Sequence, residues 1–309
     1  MKIAITGATG YIGKGLVQSL VEKGHSITVL SRNVERATTE FGSSIGVLRW
    51  TADNAPELAS ALDGIDAMVN LAGENIGSSL WTKGKRARIL NSRLSAGRLV
   101  TDVIASMSRK PALLVQASAV GYYGTRGEES LDETSSRGNG FLADVVRRWE
   151  DSTEGVESMG VRRVVIRTGV VFSSQGGALP KLAMPYRFLF GLVLGSGNQW
   201  LPWIHYSDEI EAIGFLLSHP FSAGVYNLVS PNPARMEEVC NAISETFRRP
   251  TVMKVPASIL KLAMGKMAEE TVLPSQRVVP SRLAAAGFIF THAGLKTVIS
   301  QLYSPRENN

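Results

Sequence analysis

Cysteine is almost absent from this 309-residue chain: Cys240 stands alone, which excludes an intrachain disulfide and a cysteine-rich zinc site. Histidine is scarce as well, and His25, His205, His219 and His292 lie scattered, without the spacing of metal ligands. No metal is therefore expected. No apolar run approaches the roughly 18 residues needed to cross a bilayer, so no membrane partner is expected. The chain opens Met1-Lys2-Ile3-Ala4-Ile5-Thr6 straight into a core-like strand, so no removable leader is expected and the expected location is cytoplasmic. No internal repeat or low-complexity tract interrupts it.

Apolar residues make up 44% and charged residues 19%, enough apolar side chain to offset the entropy of ordering a globular chain. The 33 basic residues exceed the 27 acidic ones, a formal charge of +6. These cations are spread along the chain, with one denser stretch from Lys83 to Arg98, and no nucleic-acid module accompanies them. Local positive charge of this kind suits a small anionic ligand, and no nucleic-acid partner is expected.

Strand and helix patterns alternate through the first half. Lys2–Thr6 and Ile27–Leu30 read as strands around a helix over 10–23, whose apolar face is Ile12, Leu16, Val17, Leu20 and Val21. A helix near 57–62, a strand at 67–71, a helix over 84–107, a strand at 112–117, a helix over 140–153 and a strand at 161–167 follow. Strands that are apolar throughout, alternating with amphipathic helices, predict a parallel sheet covered on both faces. The expected class is α/β, a Rossmann-type doubly wound parallel sheet. Residues 1–170 form the expected cofactor domain, with returning segments near 205–230. Residues 171–309 form a smaller, discontinuous C-terminal α/β region, whose Gly- and Pro-rich stretch 173–204 reads as a lid or pocket wall.

Gly7-Ala8-Thr9-Gly10-Tyr11-Ile12-Gly13 lies between the first strand and the first helix. Glycine there lets the backbone turn tightly and approach a pyrophosphate, while the helix N-terminus offers N–H groups and the positive end of its dipole. Gly7, Thr9, Gly10, Tyr11, Ile12 and Gly13 are thus candidate cofactor contacts. A site for NAD usually closes the second strand with Asp or Glu. Here that strand ends in Ser31-Arg32, with Arg36 nearby, which suits the 2′-phosphate of NADP(H). Leu71, Ala72 and Gly73 provide small residues after the strand at 67–71. Arg93, seven residues after Arg86 and so on the same helix face, is a further candidate for an anion.

Together with Asn70-Leu71-Ala72-Gly73, Ser118-Ala119-Val120-Gly121-Tyr122-Tyr123-Gly124, Arg167-Thr168-Gly169 and Trp203-Ile204-His205-Tyr206-Ser207-Asp208, this loop resembles the extended short-chain dehydrogenase/reductase superfamily. Gly73-Glu74-Asn75-Ile76, Gly195-Ser196-Gly197, Pro202-Trp203-Ile204-His205 and Gln276-Arg277-Val278-Val279-Pro280 resemble more closely the atypical NAD(P)-binding "epimerase family" group with a C-terminal domain of unknown function. The resemblance runs from residue 1 to about residue 302 and implies an oxidoreductase or sugar epimerase using NADP(H). Some relatives carry a cell-division label, which leaves a catalytically silent NADPH-binding regulator as the alternative. A homodimer is a further expectation.

The superfamily's chemistry implies a Ser or Thr, a Tyr, and a Lys four residues after the Tyr. Ser118 stands at the expected strand end, but the tyrosine and lysine positions fall on Phe141 and Val145, which can neither give a proton nor carry charge. Tyr122 is the provisional replacement acid, with Glu74, Glu150 and His205 as other possible proton sources. Lys181 and Arg187 are candidate substrate contacts for a small substrate the sequence does not name.

Overall fold

A computed structural model describes residues 1–188 and 190–303. The first half runs β1 (Lys2–Thr6), α1 (Tyr11–Glu22), β2 (Ser26–Ser31), α2 (Val34–Phe41), β3 (Gly46–Arg49), α3 (Ala55–Ala61), β4 (Ala67–Asn70), α4 (Lys83–Ser106) and β5 (Leu113–Ala119). Next come β6 (Ser130–Leu131), α5 (Phe141–Asp151), β7 (Arg162–Thr168), β8 (Val170–Phe172), α6 (Leu179–Phe188), β9 (Gly191–Leu194), β10 (Trp200–Leu201) and β11 (Trp203–His205). The chain ends with α7 (Tyr206–Ser218), β12 (Gly224–Leu228), β13 (Ala234–Arg235), α8 (Met236–Phe247) and β14 (Thr251–Val255). Then follow α9 (Ala257–Met264), α10 (Lys266–Thr271), β15 (Arg277–Val278), α11 (Ser281–Ala285) and α12 (Leu295–Tyr303).

A seven-stranded sheet has the order β12-β7-β5-β4-β1-β2-β3. The pairs β3–β2, β2–β1, β1–β4 and β4–β5 all run parallel. The order rises to one side of β1 and reverses on the other, so the chain crosses over in both directions and the carboxyl ends of β1 and β4 form the switch point where such sheets bind ligands. This is the doubly wound Rossmann-type sheet expected from the alternation of apolar strands and amphipathic helices. β4 is buried along its whole length, which is why its sequence shows no polar alternation.

By internal packing the chain forms two compact units of similar size. The first comprises Met1–Ser118, Val145–Ile166 and Ile210–Tyr226; the second comprises Ala119–Asp144, Arg167–Glu209 and the residues from Asn227 onward. Ala119–Asp144 therefore packs with the second unit, although in sequence it interrupts the first. In the first unit, Leu58, Leu62, Met68, Leu99, Val103 and Leu114 belong to one apolar core. In the second, Phe172, Tyr186, Trp203, Val239 and Ile299 do the same, with Phe172 stacked on Trp203 at 5.3 Å. The stretch 173–204 is not one open lid: it folds into α6, with Pro185 inside the helix, and the short strands β9 and β10. Among the described residues no helix is long and apolar enough to cross a membrane.

Candidate functional site

The loop after β1 is built for close approach. Gly7 takes φ +70°, and a methyl group placed there would lie 2.6–2.8 Å from the Leu71 carbonyl and the Ala72 nitrogen. Gly13 is equally constrained, since its added carbon would meet the Gly7 oxygen at 2.4 Å. Gly10 N–H donates to the Gly7 carbonyl at 2.9 Å, closing the turn that launches α1. Two sequence-distant candidate segments, Gly7–Gly13 and Leu71–Gly73, are thereby brought together at the switch point.

No side chain caps α1, and no acidic residue stands in its first turn. α3 also starts without a side-chain cap, at Asn54, whereas two other helices are capped. Asn33 caps α2 by accepting from Arg36 N–H at 2.8 Å, and Thr82 caps α4 by accepting from Lys85 N–H at 3.1 Å. A helix start left without a side-chain cap, beneath a glycine loop that holds its backbone close, is the arrangement a pyrophosphate requires. These residues fit a dinucleotide.

A buried polar chain fixes the strand ends. Thr6 Oγ1 donates to Asn70 Oδ1 at 2.6 Å, and Asn70 Nδ2 donates to Gln116 Oε1 at 2.8 Å, which ties β1, β4 and β5 together. Asn70 Oδ1 also accepts from the Ala72 N–H at 3.3 Å and so sets the path of the Leu71–Gly73 turn. Thr6 and Gln116 belong to no motif in the sequence. The signal was available: both are polar residues inside otherwise apolar strands.

Ser31 Oγ donates to the Asn33 carbonyl at 2.9 Å and accepts from the Asn33 N–H at 3.2 Å, so it shapes the turn into α2. Arg32 is exposed and makes no hydrogen bond among the described residues. Its guanidinium is one of three cations, after Lys85 and Arg88, that hold the Glu74 carboxyl below the usual carboxylate range. Glu74 is gripped on every side by α4: Lys85 Nζ donates to Oε1 at 2.7 Å, Ser92 Oγ accepts from its N–H at 3.0 Å, and Arg93 donates to its carbonyl at 3.1 Å. Lys85, only 2% exposed, was hidden within a stretch whose composition reads as a solvated basic face. Arg93 lies across the Trp149 ring at 4.7 Å, beside Gly73, and burial pulls its guanidinium down to about 10. One arm of Arg93 is spent on backbone carbonyls, and the rest makes no hydrogen bond among the described residues.

Ser118 is 4% exposed, and its hydroxyl donates to Glu150 Oε1 at 2.5 Å. Its proton is thus committed to a carboxylate on α5 rather than offered outward. The same helix carries Phe141 in its first turn, and Val145 is buried in the core. In the second unit the two adjacent tyrosines differ sharply. Tyr123 is fully buried, donating its hydroxyl to Asn227 Oδ1 at 2.7 Å and accepting from Arg167 at 3.1 Å. Tyr122 is half-buried, its hydroxyl makes no hydrogen bond among the described residues, and the Arg167 guanidinium stacks 3.4 Å from its ring centre. Arg167 is the cation that no sequence spacing disclosed.

Two of the other proton candidates, Glu74 and His205, lose that role. Glu74 is held ionised by Lys85 and has no proton to give near neutrality. Burial and the neighbouring His292, stacked on it at 3.9 Å, push His205 down to about 4, so it is neutral at pH 7. Asp208 accepts from the Thr291 and His292 N–H groups, which makes this cluster a brace for the loop before α7. Arg187 stacks over the Tyr303 ring at 5.4 Å, and Lys181 is exposed on α6.

Fold and site together define a dinucleotide-binding protein of the short-chain dehydrogenase type. Residues 3–229 match the NAD dependent epimerase/dehydratase family, and the chain belongs to it. Residues 255–302 match a domain of unknown function, DUF1731. The epimerase family protein YfhF of Bacillus subtilis is 36% identical over 309 residues, 99% of each chain. The chloroplastic SDR39U1 homolog of Arabidopsis thaliana is 37% identical over 97% of this chain and 86% of its own. The crystal structure of human SDR39U1 with NADPH superposes with a TM-score of 0.85 at 29% identity, covering 98% of this chain and 99% of that one.

Proposed function

We propose that this chain is an NADP(H)-dependent oxidoreductase or epimerase acting on a small carbonyl or sugar compound. The observation that carries the cofactor assignment is the uncapped start of α1 beneath the Gly7–Gly13 loop, closed against Leu71–Ala72. The human relative crystallised with NADPH supports the same reading. Arg32, exposed at the end of β2 where no carboxylate stands, is the residue for the 2′-phosphate. Arg93 beside Gly73 supplies a second positive group with donors to spare.

Bound NADP(H) supplies or accepts a hydride at the substrate carbon. The protein must move the matching proton, and Phe141 and Val145 do not. Tyr122 is the group assigned to it, because its hydroxyl is uncommitted and Arg167 sits on the face of its ring, ready to balance negative charge left on the phenol oxygen. Ser118, bonded to Glu150, serves the substrate oxygen only after turning from that carboxylate.

One observation favours a second reading. With Phe141 and Val145 in the two positions that normally carry the chemistry, a silent NADPH-binding regulator needs no further explanation of the sequence. The two are separated by incubating the protein with a metabolite extract and NADPH deuterated at the transferable position, then searching small molecules for deuterium by mass spectrometry. A labelled product establishes hydride transfer and names the substrate. Tight NADPH binding with no label, and no isomer interconverted in the extract, assigns the regulator.

A further inference from the structure

We propose that a cavity at the start of α5 takes an uncharged polyhydroxylated ligand, a free sugar or polyol, rather than a phosphorylated or nucleotide-linked one. The proposal rests on the small-substrate reading above, although neither Ser118 nor Tyr122 is in the cavity's lining. The cavity lies wholly within the second unit, has a volume of about 310 Å³, and is lined by Gly121, Thr125, Asn139, Leu142, Glu270 and Gln276 among others. That is at the small end of the roughly 300–1,000 Å³ range of ligand pockets. It has room for roughly ten waters at about 30 Å³ each, and so for a ring of about a dozen heavy atoms.

Its chemistry is set by which groups are spent. Gln276 is 8% exposed and gives its amide hydrogens to the Val120 and Gly124 carbonyls at 3.0 and 2.9 Å. Its Oε1 accepts nothing among the described residues, and Gln276 is part of the cavity lining. The Glu270 carboxylate accepts from the Phe141 and Leu142 N–H groups at 2.9 and 3.0 Å. Each of its oxygens keeps a further lone pair. Thr125 and Asn139 side chains make no hydrogen bond among the described residues and can serve as donor or acceptor.

The lining cations, by contrast, are engaged. Arg126 clamps Glu129 through Nε and Nη2 at 2.8 and 2.7 Å and gives Nη1 to the Ser136 carbonyl. Arg137 faces Asp144 at 3.4 Å. A cavity with open acceptors, the Glu269 and Glu270 carboxylates at its wall and arginines facing Glu129 and Asp144 favours hydroxyl donors over phosphate. The helix start that would otherwise attract an anion is already filled by Glu270. This assigns a purpose to Gln276, which opens the C-terminal Gln-Arg-Val-Val-Pro motif, and to the helix that supplies Glu270.

The test is saturation-transfer NMR on the full chain with NADPH present, using D-glucose and myo-inositol as neutral probes and glucose 6-phosphate and UDP-glucose as charged ones. Neutral probes are expected to bind in the millimolar range, with glucose 6-phosphate at least about fivefold weaker. Thr125→Trp, at the exposed side of the cavity, and Glu270→Gln are each expected to weaken the neutral probes by about fivefold or more. Circular dichroism and the melting temperature report whether each variant is folded. Absent transfer to both neutral probes, transfer that Thr125→Trp leaves unchanged, or tighter binding of either charged probe overturns the proposal. A separate NADPH titration keeps the two readings apart: NADPH binding without sugar binding refutes the cavity alone, while a chain that ignores NADPH refutes the cofactor reading.

Discussion

Glu209 is the buried group whose ionisation should cost this protein stability as pH rises. It lies at the start of α7 with no exposed surface. Thr168 Oγ1 donates to its Oε1 at 2.7 Å, while Oε2 has no hydrogen-bond partner among the described residues. Burial pushes its carboxyl from the ordinary 4.5 up to about 8, only partly offset by Thr168. The folded chain therefore keeps a proton that the unfolded chain releases between pH 4.5 and 8. Across that window unfolding is favoured as pH rises, by up to 1.36 kcal/mol for each unit. Integrated to pH 7 the upper limit is about 3 kcal/mol, and above pH 8 the loss levels off.

Glu209→Gln removes the titration and keeps the shape. Its Oε1 still accepts from Thr168, but its amide carries two hydrogens where the protonated acid carries one, so the variant leaves one more buried donor unpaired at every pH. The gap between variant and parent is expected to shift in the variant's favour by up to about 3 kcal/mol from pH 4.5 to pH 7, starting from a deficit at pH 4.5 of about 1–3 kcal/mol set by the extra unpaired donor. Urea unfolding at pH 5, 6, 7 and 8, with m-values compared to check that the unfolded states match, measures this directly. Midpoints that stay parallel for the two proteins across the range would show Glu209 ionised in the fold and the reasoning from burial wrong.

Arg32→Ala is expected to weaken NADPH about 10- to 100-fold while leaving NADH nearly unchanged, and equal losses by fluorescence titration would remove the 2′-phosphate role. Tyr123→Phe should cost about 1–2 kcal/mol, because Asn227 and Arg167 each lose a buried partner, whereas Tyr122→Phe should be nearly neutral to stability. Chemical denaturation of the two variants side by side checks the asymmetry. Lys85→Met should destabilise by about 1–2 kcal/mol, allowing for the part of Glu74 open to water. Because Lys85 lowers the Glu74 carboxyl, its contribution is fully present above pH 4.5 and lost as pH falls below it. The variant's stability should therefore depend less on acid than the parent's.

The strands and helices that could be read in advance were those with a single clean period. α1 lies within a residue of its apolar pattern, and β4 was plain because burial on both faces removes polar alternation. α6 was hidden by its own composition: Pro185 and the flanking glycines signal a break, yet Leu179, Ala183 and Tyr186 bury one face well enough to hold the helix. Residues 257–271 form two helices rather than one, because Gly265 takes φ +57° between α9 and α10.

The site divided along a similar line. The glycine loop and Arg32 could be proposed from the sequence because a phosphate imposes its demands on residues next to one another. Arg167 could not, since it reaches the Tyr122 ring from β7, 45 residues later, and no spacing rule links them. Glu270 comes to the first turn of α5 from still further away, at the position where the superfamily places its tyrosine. Local motifs report backbone needs, whereas proton transfer needs only that side chains converge, from anywhere in the chain. That is why the cofactor could be inferred from seven consecutive residues, and why the absence of Tyr and Lys at 141 and 145 was never sufficient evidence that no proton moves.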